Sequence, residues 1–411
     1  MGPQFLVAYV AVLLAFQPLS TDLNLPSVPP MAAELGLSHV QAQGGFLAYL
    51  LGFALGQLPS GALSDRLGRR PVLVWAGALY TASALGSALA IGPWSLLLSR
   101  VGLGLAVAAM MVAGRAAIRD GFEPEAGEQA LAKGFTGMGI SAVLAGALGG
   151  ELAHWLSWRG VLGVLAAAGA LLWAWTWLKF KPVEHQARDQ ARDQARDQDR
   201  GAAQAHTDAP LRDILGHGSF WVSTLLAALS LTEAVCFVSG SSTVLPERFG
   251  VSPAMLGWTL TICSGCFLLS TLACQWMLRR FGPRQALRVS VVTSLLGAGL
   301  FFVSGTLQGQ AALYCLIAAQ MTFMAGHGTN QICGQASAVA PFPDHAGLAA
   351  AWSGTIMLLI GVAWGQAQAM WISSDLGRMP TSLVLVALCT AMLAWLQSRR
   401  EADHGSLQSK A

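Results

Sequence analysis

Residues 61–73 read Gly61-Ala62-Leu63-Ser64-Asp65-Arg66-Leu67-Gly68-Arg69-Arg70-Pro71-Val72-Leu73, and residues 279–284 read Arg279-Arg280-Phe281-Gly282-Pro283-Arg284. Both stretches are short, basic and centred on a glycine, and each is set between long apolar runs. Outward from them, apolar stretches recur at 5–22, 42–63, 72–92, 94–114, 130–150, 160–178, 217–239, 255–277, 287–307, 310–331, 347–369 and 380–397. Each is close to the ~20 residues that cross ~30 Å of hydrocarbon as a helix. One glycine loop follows the second stretch and the other follows the eighth, so Gly68 and Gly282 hold the same place in two copies of a six-span unit.

Composition points the same way. A soluble chain is roughly 25% charged, whereas these 411 residues carry only 45 Asp, Glu, Lys and Arg, and 14 of those fall within 179–213. Apolar residues make up 54% of the chain, and glycine adds 46 more residues. A soluble monomer cannot expose that much contiguous apolar surface, so most of it must meet lipid or other helices. Disordered, collagen-like and disulfide-built chains are excluded by the same numbers. The net charge of +3, with no basic stripe, gives no reason to expect nucleic acid. All seven cysteines lie in apolar runs of the second half and lack the spacing of a zinc site, so they read as small packing residues and no metal or cofactor is expected.

Lys and Arg accumulate in cytoplasmic loops because they resist translocation. With the N-terminus inside, 20 of the 24 basic residues fall on the cytoplasmic side and three on the other (Arg159, Arg248, Arg378). The expected architecture is therefore an all-α integral membrane protein of twelve transmembrane helices in two six-helix bundles, with both termini cytoplasmic. The predicted divisions are an N-terminal bundle at 1–178, a cytoplasmic linker at 179–213, a C-terminal bundle at 214–398 and a tail at 399–411. The linker contains Ala-Arg-Asp-Gln three times over 187–198 and reads as a solvated tether. Two parallel repeats joined in this way are how many secondary transporters are built, with the substrate site between the halves near mid-membrane.

The first loop resembles the G-x-L-a-D-r-x-G-r-r-x-x-l signature of the major facilitator superfamily at every fixed position. Gly61 and Gly68 suit tight turns and close helix approach. Asp65 can reach helix N-terminal amides or pair with Arg66, Arg69 or Arg70. The resemblance implies that this loop gates the cytoplasmic side, latching the halves together in one access state. Arg279 replaces the aspartate in the second copy, so such a latch is asymmetric. Over nearly its full length the chain also resembles the bicyclomycin-resistance (Bcr/CflA) branch of drug:proton antiporters. The residues that carry this are Ser20-Thr21-Asp22-Leu23-Asn24-Leu25-Pro26-Ser27-Val28-Pro29, Arg115-Ala116-Ala117-Ile118-Arg119-Asp120, Trp158-Arg159, and Pro341-Phe342-Pro343-Asp344-His345-Ala346-Gly347. Gly146 stands where the antiporter motif usually has proline. Asn24 stands where the branch usually has an aromatic, which implies a differently shaped substrate cavity.

Charges deep in a bilayer cost roughly 2.5–3.5 kcal/mol each even on the mild insertion scale, and three remain away from the loops: Asp22, Arg100 and Glu233. Asp22 lies about 27 Å up its span from Gln4 and Arg100 about 9 Å down its span from Trp94, which sets both in the outer third at one level. The expected roles are Asp22 as proton carrier and Arg100 as its switchable partner, against a permanent structural pair or a helix cap. Glu233 suits a cationic part of the substrate, a second protonation site, or a hydrogen bond to a neighbouring Ser or Thr. The run Gly326-His327-Gly328-Thr329-Asn330-Gln331 either lines a cavity or bonds between helices. Asn24, Tyr49, Glu233, His327 and Asn330 are the substrate-binding candidates.

The resulting expectation is a secondary active transporter of the bacterial inner membrane, functional as a monomer, which exports a small organic molecule in exchange for protons by alternating access. The resemblance implies antibiotics such as bicyclomycin, chloramphenicol or sulfonamides. The alternatives are an exporter of a siderophore or other metabolite, and a proton-coupled uptake symporter. A membrane enzyme or sensor would need a nucleophile–base set, a metal cluster or a large soluble domain, and the sequence contains none of these.

Overall fold

The structure is a computed structural model that describes residues 3–180 and 209–408. The Ala-Arg-Asp-Gln repeats lie outside the described residues. The first half comprises α1 (Pro3–Asp22), α2 (Val28–Leu35), α3 (His39–Leu67), α4 (Arg69–Ala88), α5 (Pro93–Gly121), α6 (Pro124–Trp155) and α7 (Trp158–Lys179). The second comprises α8 (Ala209–Gly216), α9 (Gly218–Phe249), α10 (Pro253–Thr306), α11 (Gly309–Val339), α12 (Ala346–Ile372) and α13 (Met379–Gln408). Among the described residues, ten helices are long and apolar enough to cross a membrane. One of them, the 54-residue α10, breaks at Gly282 into two arms. With α11, a mostly apolar 31-residue helix that carries His327, Asn330 and four glutamines, the crossings number twelve.

The two glycine loops have one backbone geometry. Gly68 has φ 88° and ψ 163° between α3 and α4, and Gly282 has φ 76° and ψ 172° inside α10. That region is closed to residues with a Cβ, so the sequence repeat is a structural repeat. Elsewhere the helices begin with local signals. Ser38 and Gln41 form a reciprocal capping box at the start of α3, Ser157 and Ser252 cap α7 and α10, and proline opens α5, α6 and α10. The stretch after Asp22, which carries Pro26, Pro29 and Pro30, turns through a short 3-10 helix and then forms α2. Pro29 and Pro30 sit in the first turn of α2, where their missing N–H groups cost nothing.

In the first half α3 packs on α5, α4 on α5 and α7, and α1 on α5 and α6; in the second, α9 packs on α11 and α12, and α10 on α11 and α13. The buried apolar cluster of the first half draws only Val235 and Leu358 from the second, and the largest cluster of the second draws only Leu25 from the first. Large apolar side chains cover the outside, among them Trp75, Trp177 and Trp276 toward one end and Trp94 and Trp155 toward the other. That is the distribution expected at two membrane interfaces.

The halves meet where α6 crosses the first arm of α10 and where α3 runs along α12. At the first crossing a Cβ on Gly146 would come within 2.7 Å of the Gly257 carbonyl oxygen and 3.0 Å of Thr261 N. Thr261 Oγ1 accepts from Ala147 N at 2.8 Å. Gln43 Nε2 donates to Thr243 Oγ1 at 3.0 Å, and His39 pairs with Glu247 at 3.4 Å. These polar contacts between the halves all lie in the part of the molecule away from the first and last described residues, so the halves are closed against each other at that end.

Candidate functional site

Arg100, on α5, is buried to 3% exposure. Its Nη1 donates to the Ser20 carbonyl at 3.4 Å, while its Nε and Nη2 have no partner. Asp22 lies two residues beyond Ser20 at the end of α1 and is half-buried. The two are not ion-paired: among the described residues the Ser20 carbonyl is the one group Arg100 hydrogen-bonds. Tyr49 of α3 lies within electrostatic reach of both and donates to the Gln17 carbonyl at 3.4 Å. Tyr80 of α4 meets the Ser20 hydroxyl at 2.9 Å. Arg100, Tyr49, Asn24, Ser20 and Thr21 line one small cavity of about 10 Å³, the size of a single water and far below that of an organic molecule.

Why these residues converge follows from packing. Small residues let α3 and α5 approach closely along Gly52 and Gly56, where an added Cβ would meet α5 atoms, and this draws Tyr49 and Arg100 together against the end of α1. A buried guanidinium with two unsatisfied N–H groups is costly, at about 1–3 kcal/mol for each missing bond. Such a group gains from any acceptor that swings within reach. Ser20 and Tyr80 were not singled out from sequence. The available signal was scarcity, since the chain has four tyrosines, and a phenol inside an apolar span must find a partner.

The gating loop forms a second cluster. Arg69 donates to Asp65 Oδ1 at 2.6 Å, to Asp120 Oδ2 at 2.8 Å and to Ser64 Oγ at 2.9 Å, joining the ends of α3 and α5 through the start of α4. Arg70 Nη2 donates to the Trp177 carbonyl of α7 at 2.9 Å. Arg66 is exposed. Gly68 makes the turn, whereas Gly61 lies inside α3 with ordinary room for a Cβ, Val112 being 3.9 Å away. All these bonds stay within the first half.

The remaining candidates are buried in the second half. Glu233 of α9 has no exposed surface and accepts from Gln320 Nε2 at 3.4 Å. His327 Nδ1 meets Ser230 Oγ at 2.7 Å, and Asn330 Nδ2 donates to the same hydroxyl at 3.5 Å. Gln331 Nε2 donates to the Ala227 carbonyl at 2.8 Å. The polar run of α11 therefore bonds across to α9. Asn24 and Tyr49 share a site with Asp22 and Arg100; Glu233, His327 and Asn330 form a separate group. Among the described residues no cluster of His, Cys, Asp or Glu is arranged to hold a metal ion.

Two repeated six-helix halves with ionisable side chains buried between spans are the construction of a membrane carrier. The chain belongs to the major facilitator superfamily, whose profile matches residues 10–366. It is 29% identical over 312 residues to a chloramphenicol resistance protein of Pseudomonas aeruginosa, covering 73% of this chain and 69% of that one. It is 26% identical over 382 residues to the multidrug resistance protein MdtL of Salmonella schwarzengrund, covering 91% and 89%. Its fold is similar to that of a crystallised D-xylose–proton symporter, with a TM-score of 0.76 and 16% identity over 96% of this chain and 98% of that one. The protein is thus a multi-pass membrane transporter of a small molecule and not an enzyme.

Proposed function

We propose that this carrier exports a small, largely apolar organic molecule of the drug type from the cytoplasm of a bacterium in exchange for protons, from the inner membrane and with both termini cytoplasmic. The observation that carries the reading is Arg100: a buried cation with two free donors, next to a carboxylate that it does not hold. When Asp22 is charged, the guanidinium is its natural partner. When Asp22 takes a proton, the attraction falls away and Arg100 is left with the Ser20 carbonyl, as seen here. Substrate arriving from the cytoplasm meets the carrier as the proton leaves inward. After the halves rock about the α6–α10 and α3–α12 contacts, a proton from outside neutralises Asp22 and substrate is released. The moving bodies are the bundles 1–178 and 214–398, and one chain contains the whole site. The cytoplasmic latch at Asp65 belongs to the opposite access state, since Asp65 pairs here within its own half. A proton crossing ~100 mV supplies about 2.3 kcal/mol, enough for roughly fiftyfold accumulation per proton.

The names of the relatives support export of antibiotics over a siderophore, another metabolite or uptake. The test uses proteoliposomes with a pH gradient and chloramphenicol as probe. Wild-type protein moves chloramphenicol against its gradient, opposite to the proton flow. Asp22→Asn builds a smaller gradient than wild type. Accumulation in the same direction as the protons identifies a symporter instead, and uphill export by Asp22→Asn equal to wild type removes Asp22 from the coupling.

A further inference from the structure

The exchange described above uses one carboxylate, and a second one is buried without a role. Glu233 lies at mid-length of α9 with no exposed surface, and so does Gln320 opposite it. Its Oε2 accepts one long bond, 3.4 Å from Gln320 Nε2, and its Oε1 has no partner at all. No cation is paired with it among the described residues. A carboxylate with no exposed surface and no counter-charge is viable only as the neutral acid. A substrate group cannot reach it in this closed packing; a proton needs no cavity.

The groups around it define the proton's route. Cys236 on its own helix and Cys263 on the first arm of α10 are its titratable neighbours. His327 lies seven residues from Gln320 along α11, about 10 Å away. The charged residues on the helices packed against α9 lie toward the ends of the spans, away from its middle: Glu34 on α2, His39, Asp65 and Arg66 on α3, Arg212 and Asp213 on α8, the arginines flanking Gly282 on α10, and the run from Arg399 on α13. Ser230, one turn from Glu233 and on the same face, bonds His327 Nδ1 at 2.7 Å. Beyond it, Gln331 and the exposed Gln335, bonded at 3.0 Å, continue toward the end that holds the first and last described residues.

We propose that Glu233 is a second proton-binding site, loaded in the outward-facing state and emptied to the cytoplasm by way of Ser230 and His327, so that the carrier exchanges two protons per substrate. In the loaded state the proton sits on the carboxylate as an O–H. On release the Glu233 side chain turns to Ser230, one turn away, and passes the proton to its Oγ while the hydroxyl hands its own proton to His327 Nδ1; the imidazole then gives up the proton on its other nitrogen to water on the cytoplasmic side. The binding stands on the geometry of α9 and α11 alone, whereas the two-proton exchange rests on the export reading.

Two measurements on the full chain separate these claims. Infrared difference spectra of the purified protein across a pH titration should show a protonated-carboxyl band that is lost in Glu233→Gln, kept in Glu233→Asp and kept in Asp22→Asn. A band unchanged by Glu233→Gln overturns the site. In proteoliposomes with chloramphenicol, an uncharged probe, and ~59 mV of membrane potential, each coupled proton is worth tenfold in the final gradient. Wild type should reach about a hundredfold and Glu233→Gln about tenfold. Equal gradients in the two overturn the second coupled proton. Glu233→Asp, which keeps the acid, should return to the wild-type gradient, so a fall caused by misfolding of the Gln variant is recognised. If no variant moves chloramphenicol, the export reading fails, and the band still decides whether Glu233 binds a proton.

Discussion

Gly146→Val puts the strongest demand on the contact that closes the two halves. A Cβ at this position would lie 2.7 Å from the Gly257 carbonyl oxygen and 3.0 Å from Thr261 N. Both are backbone atoms, so no side-chain rotation relieves the overlap, and α6 must draw away from the first arm of α10. Overpacking of this kind costs about 1–3 kcal/mol. Separation of the halves at this end removes the overlap, so the penalty falls on the closed arrangement alone and shifts the balance by roughly 5- to 150-fold toward the opposite access state. Spin labels at Ala33 and Ser373, both exposed on opposite halves at the closed end, would report the shift by double electron–electron resonance. The background would have the accessible Cys266, Cys315 and Cys389 replaced. The expected result is growth of the long-distance population in Gly146→Val and no change in Gly163→Ala, whose added Cβ meets nothing within 4 Å. A folded Gly146→Val protein with the wild-type distance distribution would refute the reasoning.

Three further outcomes follow from single contacts. Gly282→Ala and Gly68→Ala each force a Cβ into backbone open to glycine alone and should each cost about 1–3 kcal/mol, read as a lower Tm in detergent. Arg69→Ala removes hydrogen bonds to two carboxylates that are themselves 41% and 33% exposed, so solvent screening holds the expected loss to about 1–2 kcal/mol; Arg69→Lys, with no fork to reach both, should recover less than half of it. Glu34→Gln should loosen α2, because Glu34 accepts from Trp158 Nε1 at 2.7 Å and pairs with Arg159 at 3.1 Å. Faster proteolysis within α2 at unchanged Tm would register that loss.

The twelve crossings and their repeat were legible because lipid imposes length and apolarity on each span, and because one turn geometry requires glycine at both Gly68 and Gly282. The identities of the deep charges were legible for the same reason: in a chain this poor in charge, Asp22, Arg100 and Glu233 have no inexpensive explanation. Their partners were not. Matching depth along two spans suggested an Asp22–Arg100 pair, yet depth says nothing of rotation about the helix axis, and Arg100 bonds Ser20 instead. The polar run on α11 could equally have faced a cavity or a neighbour. Only the packing of Gly326 and Gly328 against α10 turns His327 and Asn330 toward α9. The short helix α2 was hidden by its own prolines, which end helices when internal and begin them when first.

Proton release on substrate binding tests the central claim most directly. Chloramphenicol added to weakly buffered, purified protein should release protons saturably, and Asp22→Asn should bind the compound while releasing at most half as many. Equal release from wild type and Asp22→Asn would contradict the assignment of Asp22 as the coupling carboxylate.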